Sequence, residues 1–150
     1  MTMSKMNSSA SAKYATLLRQ NDFKVTMQRI RILEILDRSK TPLTAAEVHA
    51  HLSRYGIDLA TVYRVLNKLA DAGVVSRVEL GDEFTRFEFA RPPAHHHHIV
   101  CIDCGTVKEI ELCNLDSLVG DISRSTGFTH IEHQVVFRGY CASCSAHHKE

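Results

Sequence analysis

The chain has 150 residues, of which 44% are hydrophobic and 23% are charged, and its formal net charge is +1. This is the composition of an ordinary folded protein with one domain or two small ones. No apolar run approaches the roughly 20 residues that a helix needs to cross a bilayer, and residues 1–14 lack the apolar stretch of a signal peptide. We therefore expect a cytoplasmic protein that has no membrane partner and keeps its thiols reduced.

The first half of the chain predicts four helices, each with apolar residues at three- or four-residue steps. The predicted starts lie at Ala12, after Thr26, after Thr44 and after Asp58. The sequence Thr44-Ala-Ala-Glu47 has the form of a capping box, in which each side chain binds the other residue's backbone N–H. Gly73 is placed to end the fourth helix.

The hydrophobic period changes after Gly73. Residues 74–80 and 84–89 have the pattern of strands, and Gly81-Asp82 between them predicts a turn, so we expect a β-hairpin. Helices followed by a hairpin are typical of a winged helix, which we predict for residues 1–89. The alternative is a generic α+β domain that has no connection with nucleic acids.

Arg91-Pro92-Pro93 predicts a break between two domains. Two consecutive prolines remove backbone donors and fix φ, so neither a helix nor a strand can continue through them. We place a hinge at residues 90–94 and a second, small α/β domain at residues 95–150. Its predicted elements are strands near 96–102, 106–112 and 130–138 and a helix near 115–125, so the whole chain belongs to the α+β class.

Two C-x-x-C pairs dominate the second half: Cys101 with Cys104, and Cys141 with Cys144. In a reducing compartment this spacing indicates a tetrahedral zinc site rather than disulfides. A shell of four protein ligands leaves no open position, so the predicted zinc is structural. The 36 residues between the pairs leave room for a strand–helix–strand excursion that the metal would close.

The run His95–His98 precedes the first cysteine pair and a predicted strand. Side chains alternate on a strand, so His96 and His98 point one way and His95 and His97 the other. One short strand can therefore supply two metal sites. Imidazole with carboxylate suits Fe²⁺, Mn²⁺, Zn²⁺ or Co²⁺. At this stage the partner ligand is one of several residues, namely Glu88, Glu109, Glu111, Asp116, His130, Glu132 and His133.

The fourth predicted helix has polar and cationic residues suited to DNA. Residues 1–89 carry thirteen Lys and Arg against ten Asp and Glu, an excess that favours an anionic partner without establishing one. The groups suited to base edges and phosphates on this helix are Thr61, Tyr63, Arg64, Asn67 and Lys68. A solvated helix face explains the same residues equally well.

Two other functions fit parts of this pattern. A zinc hydrolase would use the histidines with a catalytic water and Glu109 or Glu111 as general base, but so small a domain offers little room for a substrate pocket. A metal-storage or zinc-ribbon interaction module is the other. We predict that the protein is not an enzyme.

Taken together, the motifs resemble the ferric uptake regulator family of metal-sensing, DNA-binding bacterial repressors. The resemblance covers nearly the whole chain after residue 12, through FKVTMQRIRIL (Phe23–Leu33), TAAEV (Thr44–Val48), DLATVYRVLNKLADAGVV (Asp58–Val75), RFEF (Arg86–Phe89), HHHHIVCIDCG (His95–Gly105) and the closing CASC. It implies an N-terminal winged helix, a C-terminal dimerisation domain, and a homodimer that binds a palindromic DNA operator when its sensing site holds metal.

The resemblance also implies specific sites. Structural Zn²⁺ is expected at the four cysteines named above. A regulatory site for Fe²⁺ or Zn²⁺, with Mn²⁺ possible, is expected at Glu88, His96, His98 and Glu109. An additional site is expected at His95, His97, Asp116 and His133. Tyr63 and Arg64 match the family's recognition-helix contacts, and Lys24 its minor-groove contact; we add Thr61 and Asn67. A peroxide- or manganese-responsive regulator of the same family is the alternative function.

Overall fold

The computed structural model describes residues 8–91, 96–111 and 114–148. They form two compact units, whose chain ranges are Met1–Pro92 and Pro93–Glu150. Helices form most of the first unit, and the second combines three short strands with two helices, which confirms the predicted α+β class. Among the described residues, no helix is both long enough and apolar enough to cross a membrane.

The first unit contains the four predicted helices: α1 (Ser8–Gln20), α2 (Met27–Arg38), α3 (Ala45–Leu52) and α4 (Leu59–Asp71). The helices α2 and α4 begin directly after the predicted caps. Thr26 Oγ1 accepts a hydrogen bond from the Arg29 N–H at 3.3 Å, and Asp58 Oδ1 accepts one from the Thr61 N–H at 2.6 Å. Each cap satisfies a backbone donor that would otherwise have no partner in the first turn.

The predicted signals at the start of α3 and the end of α4 are confirmed. The Thr44 N–H donates to Glu47 Oε2 at 2.7 Å and the Glu47 N–H donates to Thr44 Oγ1 at 3.2 Å, so the capping box is complete. Gly73 follows α4 with φ of 72°, and the Val74 N–H reaches back to the Leu69 carbonyl at 2.9 Å. This is a Schellman ending, which favours glycine at the left-handed position.

An antiparallel sheet completes the first unit. Its strands are β1 (Leu43–Thr44), β2 (Val75–Glu79) and β3 (Thr85–Phe89), in the order β1-β3-β2. The hairpin β2–β3 is the predicted wing, and with the helices it confirms the winged helix. The two-residue strand β1 was not predicted, because it forms only through its pairing with β3.

The core of the first unit is contributed by all four helices and by the sheet. Burying a large apolar side chain stabilises a fold by roughly 1.5–3 kcal/mol. Side chains with no more than 1% exposure come from all four helices and from β3 and include Leu18, Leu33, Val48, Leu66 and Phe87. This core holds α4 in place, so its outward face is presented on a rigid support.

The second unit is a small mixed sheet with two helices. Its elements are β4 (His97–Cys101), β5 (Val107–Ile110), α5 (Asp116–Thr126), β6 (Val136–Gly139) and α6 (Ala142–Ser145). The strand order is β5-β4-β6, with β4 antiparallel to β5 and parallel to β6. The sequence-based strand over 130–138 was wrong in its start: His130 has φ of 54°, which is incompatible with a strand. The short helix α6 was not predicted.

Asp37, near the end of α2, ties together three parts of the first unit. Its Oδ2 accepts hydrogen bonds from Lys13 Nζ at 2.9 Å and from the Tyr14 hydroxyl at 2.8 Å. The Arg91 guanidinium donates to the Asp37 carbonyl at 2.6 Å. Burial opposes ionisation, but the bonds from Lys13 and Tyr14 outweigh it and lower the pKa of Asp37 below its usual 3.8. Asp37 therefore anchors α1 to α2 through its carboxylate, and it holds Arg91 chiefly through its backbone carbonyl.

We expect Asp37→Asn to destabilise the first unit by about 1–2 kcal/mol at pH 7, because charge-assisted bonds are replaced by weaker neutral ones. Since the folded-state pKa is lowered, the carboxylate's contribution is complete above pH 3.8 and is lost as the pH falls through the lower folded-state value. Urea unfolding of both proteins at several pH values measures the difference. Asp71→Asn, which removes a more exposed partner of Arg77, is the control and should shift stability by less than about 0.5 kcal/mol.

Candidate metal centres and nucleic-acid interface

The four paired cysteines converge at one end of the second unit. All four Sγ atoms lie within 4.8 Å of one another, and no disulfide joins them. The Sγ atoms of Cys104 and Cys141 are 3.8 Å apart. Zinc–sulfur bonds of about 2.3 Å in a tetrahedron place the sulfurs about 3.8 Å apart, so the cluster fits a zinc ion.

Hydrogen bonds around this cluster favour thiolates at two of the cysteines. The Cys104 and Cys141 backbones hydrogen-bond the Cys101 sulfur, the latter at 3.3 Å, and lower the pKa of Cys101 to about 6. The Thr106 side chain, 3.1 Å from the Cys104 sulfur, lowers the pKa of Cys104. The hydrogen bond with Cys141 raises the pKa of Cys144, because the two sulfurs share a proton. A bound Zn²⁺ would favour the deprotonated form of all four.

Thr106 is a feature of this site that the sequence analysis missed. Its hydroxyl lies beside the Cys104 sulfur, in the position of a group that orients a metal ligand from outside the shell. Gly105 precedes it with φ of 71° and donates its N–H to the Cys101 carbonyl at 3.0 Å, which closes the turn. The signal in the sequence is a hydroxyl residue directly after C-x-x-C-G.

A second cluster lies on β4 and β5. His98 is opposite Glu109 in the antiparallel register, and His96 Nδ1 lies 3.6 Å from Glu109 Oε1. The rings of His96 and His98 are 5.4 Å apart and nearly perpendicular. His98 is only 5% exposed. The structure thus brings together three of the four predicted regulatory ligands, two imidazoles and one carboxylate, on the second unit.

The fourth predicted regulatory ligand, Glu88, lies in the first unit. It is a half-buried residue of β3, opposite Ser76 of β2 and one residue before the end of β3. The wing positions Glu88, because β3 directs the side chains of Phe87 and Phe89 into the core and that of Glu88 away from it.

Two histidines of the predicted additional site lie close together. The His97 ring lies 5.3 Å from the ring of His133 and 6.5 Å from that of Phe137. Asp116, the first residue of α5, is exposed. His95 lies outside the described residues. His97 therefore lies beside His133, whereas His98 lies beside His96, as the alternation of side chains along a strand predicts.

The outward face of α4 carries the predicted DNA-contacting groups. Tyr63 is 46% exposed, and Arg64 and Asn67 are exposed beside it. The Arg64 guanidinium donates to the Thr61 hydroxyl at 3.1 Å, which holds it along the helix. The remaining candidate, Lys24, is exposed just before α2. Together these side chains offer cationic, amide and hydroxyl groups of the kinds that bind phosphates and base edges.

Arg77 is a second residue that the sequence analysis missed. From β2 it donates to Asn67 Oδ1 at 3.0 Å, to the Asn67 carbonyl at 3.2 Å and to Asp71 Oδ1 at 2.8 Å. It thereby positions the Asn67 side chain and joins α4 to the wing. No local pattern could have revealed this, because the partners belong to different elements.

Known proteins resemble this chain along most of its length. The sequence profile described as the Ferric uptake regulator family matches residues 20–138. A ferric uptake regulation protein of Shigella flexneri is 35% identical over 130 residues, which cover 85% of this chain and 87% of that protein. These similarities confirm the resemblance that the motifs predicted.

Two solved structures are also similar. The ferric uptake regulator from Francisella tularensis with iron has a TM-score of 0.70 and 32% identity, covering 82% of this chain and 95% of that one. The Vibrio cholerae ferric uptake regulator, described as showing a rearrangement of its DNA-binding domains, has a TM-score of 0.71 and 34% identity, covering 85% of this chain and 98% of that one.

We expect Cys104→Ser to remove zinc and destabilise the second unit together, because structural zinc binding is coupled to folding. Metal analysis should find about one zinc per wild-type chain in the four-cysteine site and almost none there in the variant. Thermal unfolding followed by circular dichroism should show an early transition in the variant and in chelator-treated wild type. Ser143→Ala changes a residue between Cys141 and Cys144 and should leave zinc and unfolding unchanged; zinc retained by Cys104→Ser would contradict the assignment.

Proposed function

Because this chain belongs to the ferric uptake regulator family, we propose that it is a metal-dependent transcriptional repressor, which senses iron or zinc and binds palindromic operators of metal-homeostasis genes as a homodimer. The observation that carries this proposal is the His96–His98–Glu109 cluster, because it offers a metal site in the same chain as an exposed DNA-compatible helix. The family's role in metal-responsive transcription is consistent with both features.

In this proposal α4 is the recognition helix. Its first exposed turns carry Thr61, Tyr63 and Arg64, and a helix of this size fits the major groove of B-DNA. Lys24, before α2, contributes a contact to the backbone or the minor groove. The core of the first unit fixes the helix, so binding requires little reorganisation of this domain.

The regulatory metal is proposed to be held by Glu88, His96, His98 and Glu109. Two imidazoles with two carboxylates form a borderline-to-hard donor set that suits Fe²⁺, Zn²⁺ or Mn²⁺. The structure of the Francisella relative contains iron, which supports iron as the first ion to test. Because Glu88 belongs to the winged helix and the other three ligands to the second unit, a shared ion would couple the domains across the hinge proposed at residues 90–94.

This coupling gives the metal its regulatory effect. In a dimer, two recognition helices bind one palindromic operator only when their separation matches successive major grooves. Metal binding favours the arrangement in which Glu88 completes the site, and the size of the population shift is set by the difference in metal affinity between the arrangements. An additional site is proposed at His95, His97, Asp116 and His133, where it would stabilise the second domain.

The second unit is proposed to be the dimerisation domain. Its helix α5 and strand β6 expose apolar side chains that a monomer would leave in water: Leu118 is 51% exposed, Ile122 39% and Phe137 47%. A second copy of the chain would cover them.

The four-cysteine site offers zinc no open position, which argues against hydrolysis there. Free thiols and a DNA partner favour the cytoplasm.

The metal hypothesis predicts that His96→Ala combined with His98→Ala abolishes the metal response. Operator duplexes would first be selected from random DNA by the iron-loaded wild type, and affinity would be measured with and without each metal. We expect wild type to gain at least about tenfold in operator affinity with the sensed ion, within the usual range of allosteric coupling. The variant should gain nothing. His147→Ala with His148→Ala is the matched control, and an equal response in both double variants would reject the site.

The DNA hypothesis predicts a separate phenotype for Arg64→Ala. Loss of a base or phosphate contact should weaken operator binding by about 1–3 kcal/mol while metal content and dimerisation remain unchanged. Arg19→Ala, on the exposed face of α1, is the matched control. Electrophoretic mobility shifts and metal analysis of the same preparations provide the measurement. A loss of metal from Arg64→Ala would show that Arg64 supports the fold or the metal site instead.

A further inference from the structure

A cavity of about 380 Å³ opens in the first unit between α2, α3 and the 3-10 turn Ser53–Tyr55. Its wall includes three arginines, Arg31, Arg38 and Arg54. Among the described residues, Glu34 is the one carboxylate that lines it, and Glu34 pairs with Arg38 at 3.0 Å. The cavity therefore keeps an excess of positive charge that the pair does not neutralise.

The excess charge belongs to Arg31 and Arg54. The guanidinium carbon of Arg31 lies 3.5 Å from the centre of the Tyr55 ring, and that of Arg54 lies 4.8 Å from it. Stacking on an aromatic face fixes a guanidinium while leaving its N–H groups at the edge available to an acceptor. Neither arginine forms an ion pair with a carboxylate in the part of the chain that the structure describes.

Arg31 carries an additional signal. Its Nε is buried, and among the described residues no acceptor lies within hydrogen-bonding distance of it. Buried donors almost always have a partner, because burying one without compensation costs its hydration energy. Because Arg31 lines the cavity, its terminal Nη groups are the donors that can bind an anionic oxygen there.

The rest of the wall combines apolar side chains with the polar side chains of Ser39 and His51. Ile35 and Leu43 are half-buried, and Leu52 is 1% exposed. Apolar walls with a few convergent polar groups are typical of small-molecule sites, and the volume lies in their usual range of roughly 300–1,000 Å³. The ligand that matches this wall has a compact apolar body and an anionic head.

We propose that this cavity binds a small organic anion, whose phosphate or carboxylate group is held by Arg31 and Arg54 and whose apolar body lies against Leu43 and Leu52. The site is separate from the candidate metal ligands and from the exposed groups of α4. It gives the winged-helix domain a ligand other than metal and DNA.

Phenyl phosphate is the probe for the test, because it combines a compact ring with a dianion, and benzyl alcohol is the neutral counterpart. The protein is the full-length, zinc-loaded wild type. We expect calorimetry to show saturable binding of phenyl phosphate, with amide shifts in two-dimensional NMR at Tyr55 and Leu52. Arg31→Gln should weaken this binding at least tenfold, and the more exposed Arg54→Gln should weaken it too. Arg19→Gln should have no effect.

Each outcome decides the proposal. Binding that is lost in both pocket variants and kept in Arg19→Gln supports it, whatever happens to operator affinity. Absence of saturable binding to wild type, equal binding by all variants, or equal binding of benzyl alcohol overturns it. If phenyl phosphate does not bind and Arg31→Gln instead weakens operator binding, the arginines serve DNA phosphates and the small-anion site is rejected. Should Arg31→Gln fail to fold, Arg54→Gln gives the same decision.

Discussion

The four-sulfur cluster is the constraint on which the second unit depends. All but two of the buried hydrophobic side chains in the described part of the chain belong to the first unit; the exceptions are Val100 and Cys101. So small an apolar core cannot offset the conformational entropy of about fifty residues. A tetrahedral zinc ion at the four sulfurs would join the end of β4 to the segment after β6 and would replace the missing core with strong metal–ligand bonds. Folding of the second unit and metal binding would then be one process.

The same constraint organises the histidines. Cys101 ends β4, and His97 and His98 begin it, so fixing the cysteine fixes the direction and the register of the strand. Successive side chains then face opposite ways, which places His98 with Glu109 and His97 with His133. The four-cysteine cluster, which can hold a structural ion, thus aligns the side chains of the two other proposed sites. On the proposed assignment, one ion would be permanent while another responds to supply.

Much of this arrangement could be predicted from local sequence. The caps at Thr26, Thr44 and Asp58 and the glycine after α4 are signals in which each residue acts on its own neighbours, and the structure confirms them. The convergence of the four cysteines, and that of His96 with His98, were predictable because cysteine and histidine at strand or turn spacing have few other uses. The segment 130–135 was mispredicted as strand, since the true strand begins at Val136 and the positive φ of His130 turns the backbone away from an extended path.

What escaped prediction depends on contacts between elements distant in sequence. Strand β1 exists because Leu43 meets Phe87, and Arg77 acts on Asn67 across ten positions. The cavity beside Tyr55 belongs to the same class, since no single segment carries its charge pattern. A sequence reading would assign Arg31 to the solvated face of α2, yet the fold buries its Nε and stacks it on an aromatic ring. Arg31 and Arg54 bring positive charge to a cavity whose one carboxylate among the described residues is already paired with Arg38, and an anionic ligand is the partner that would neutralise this charge.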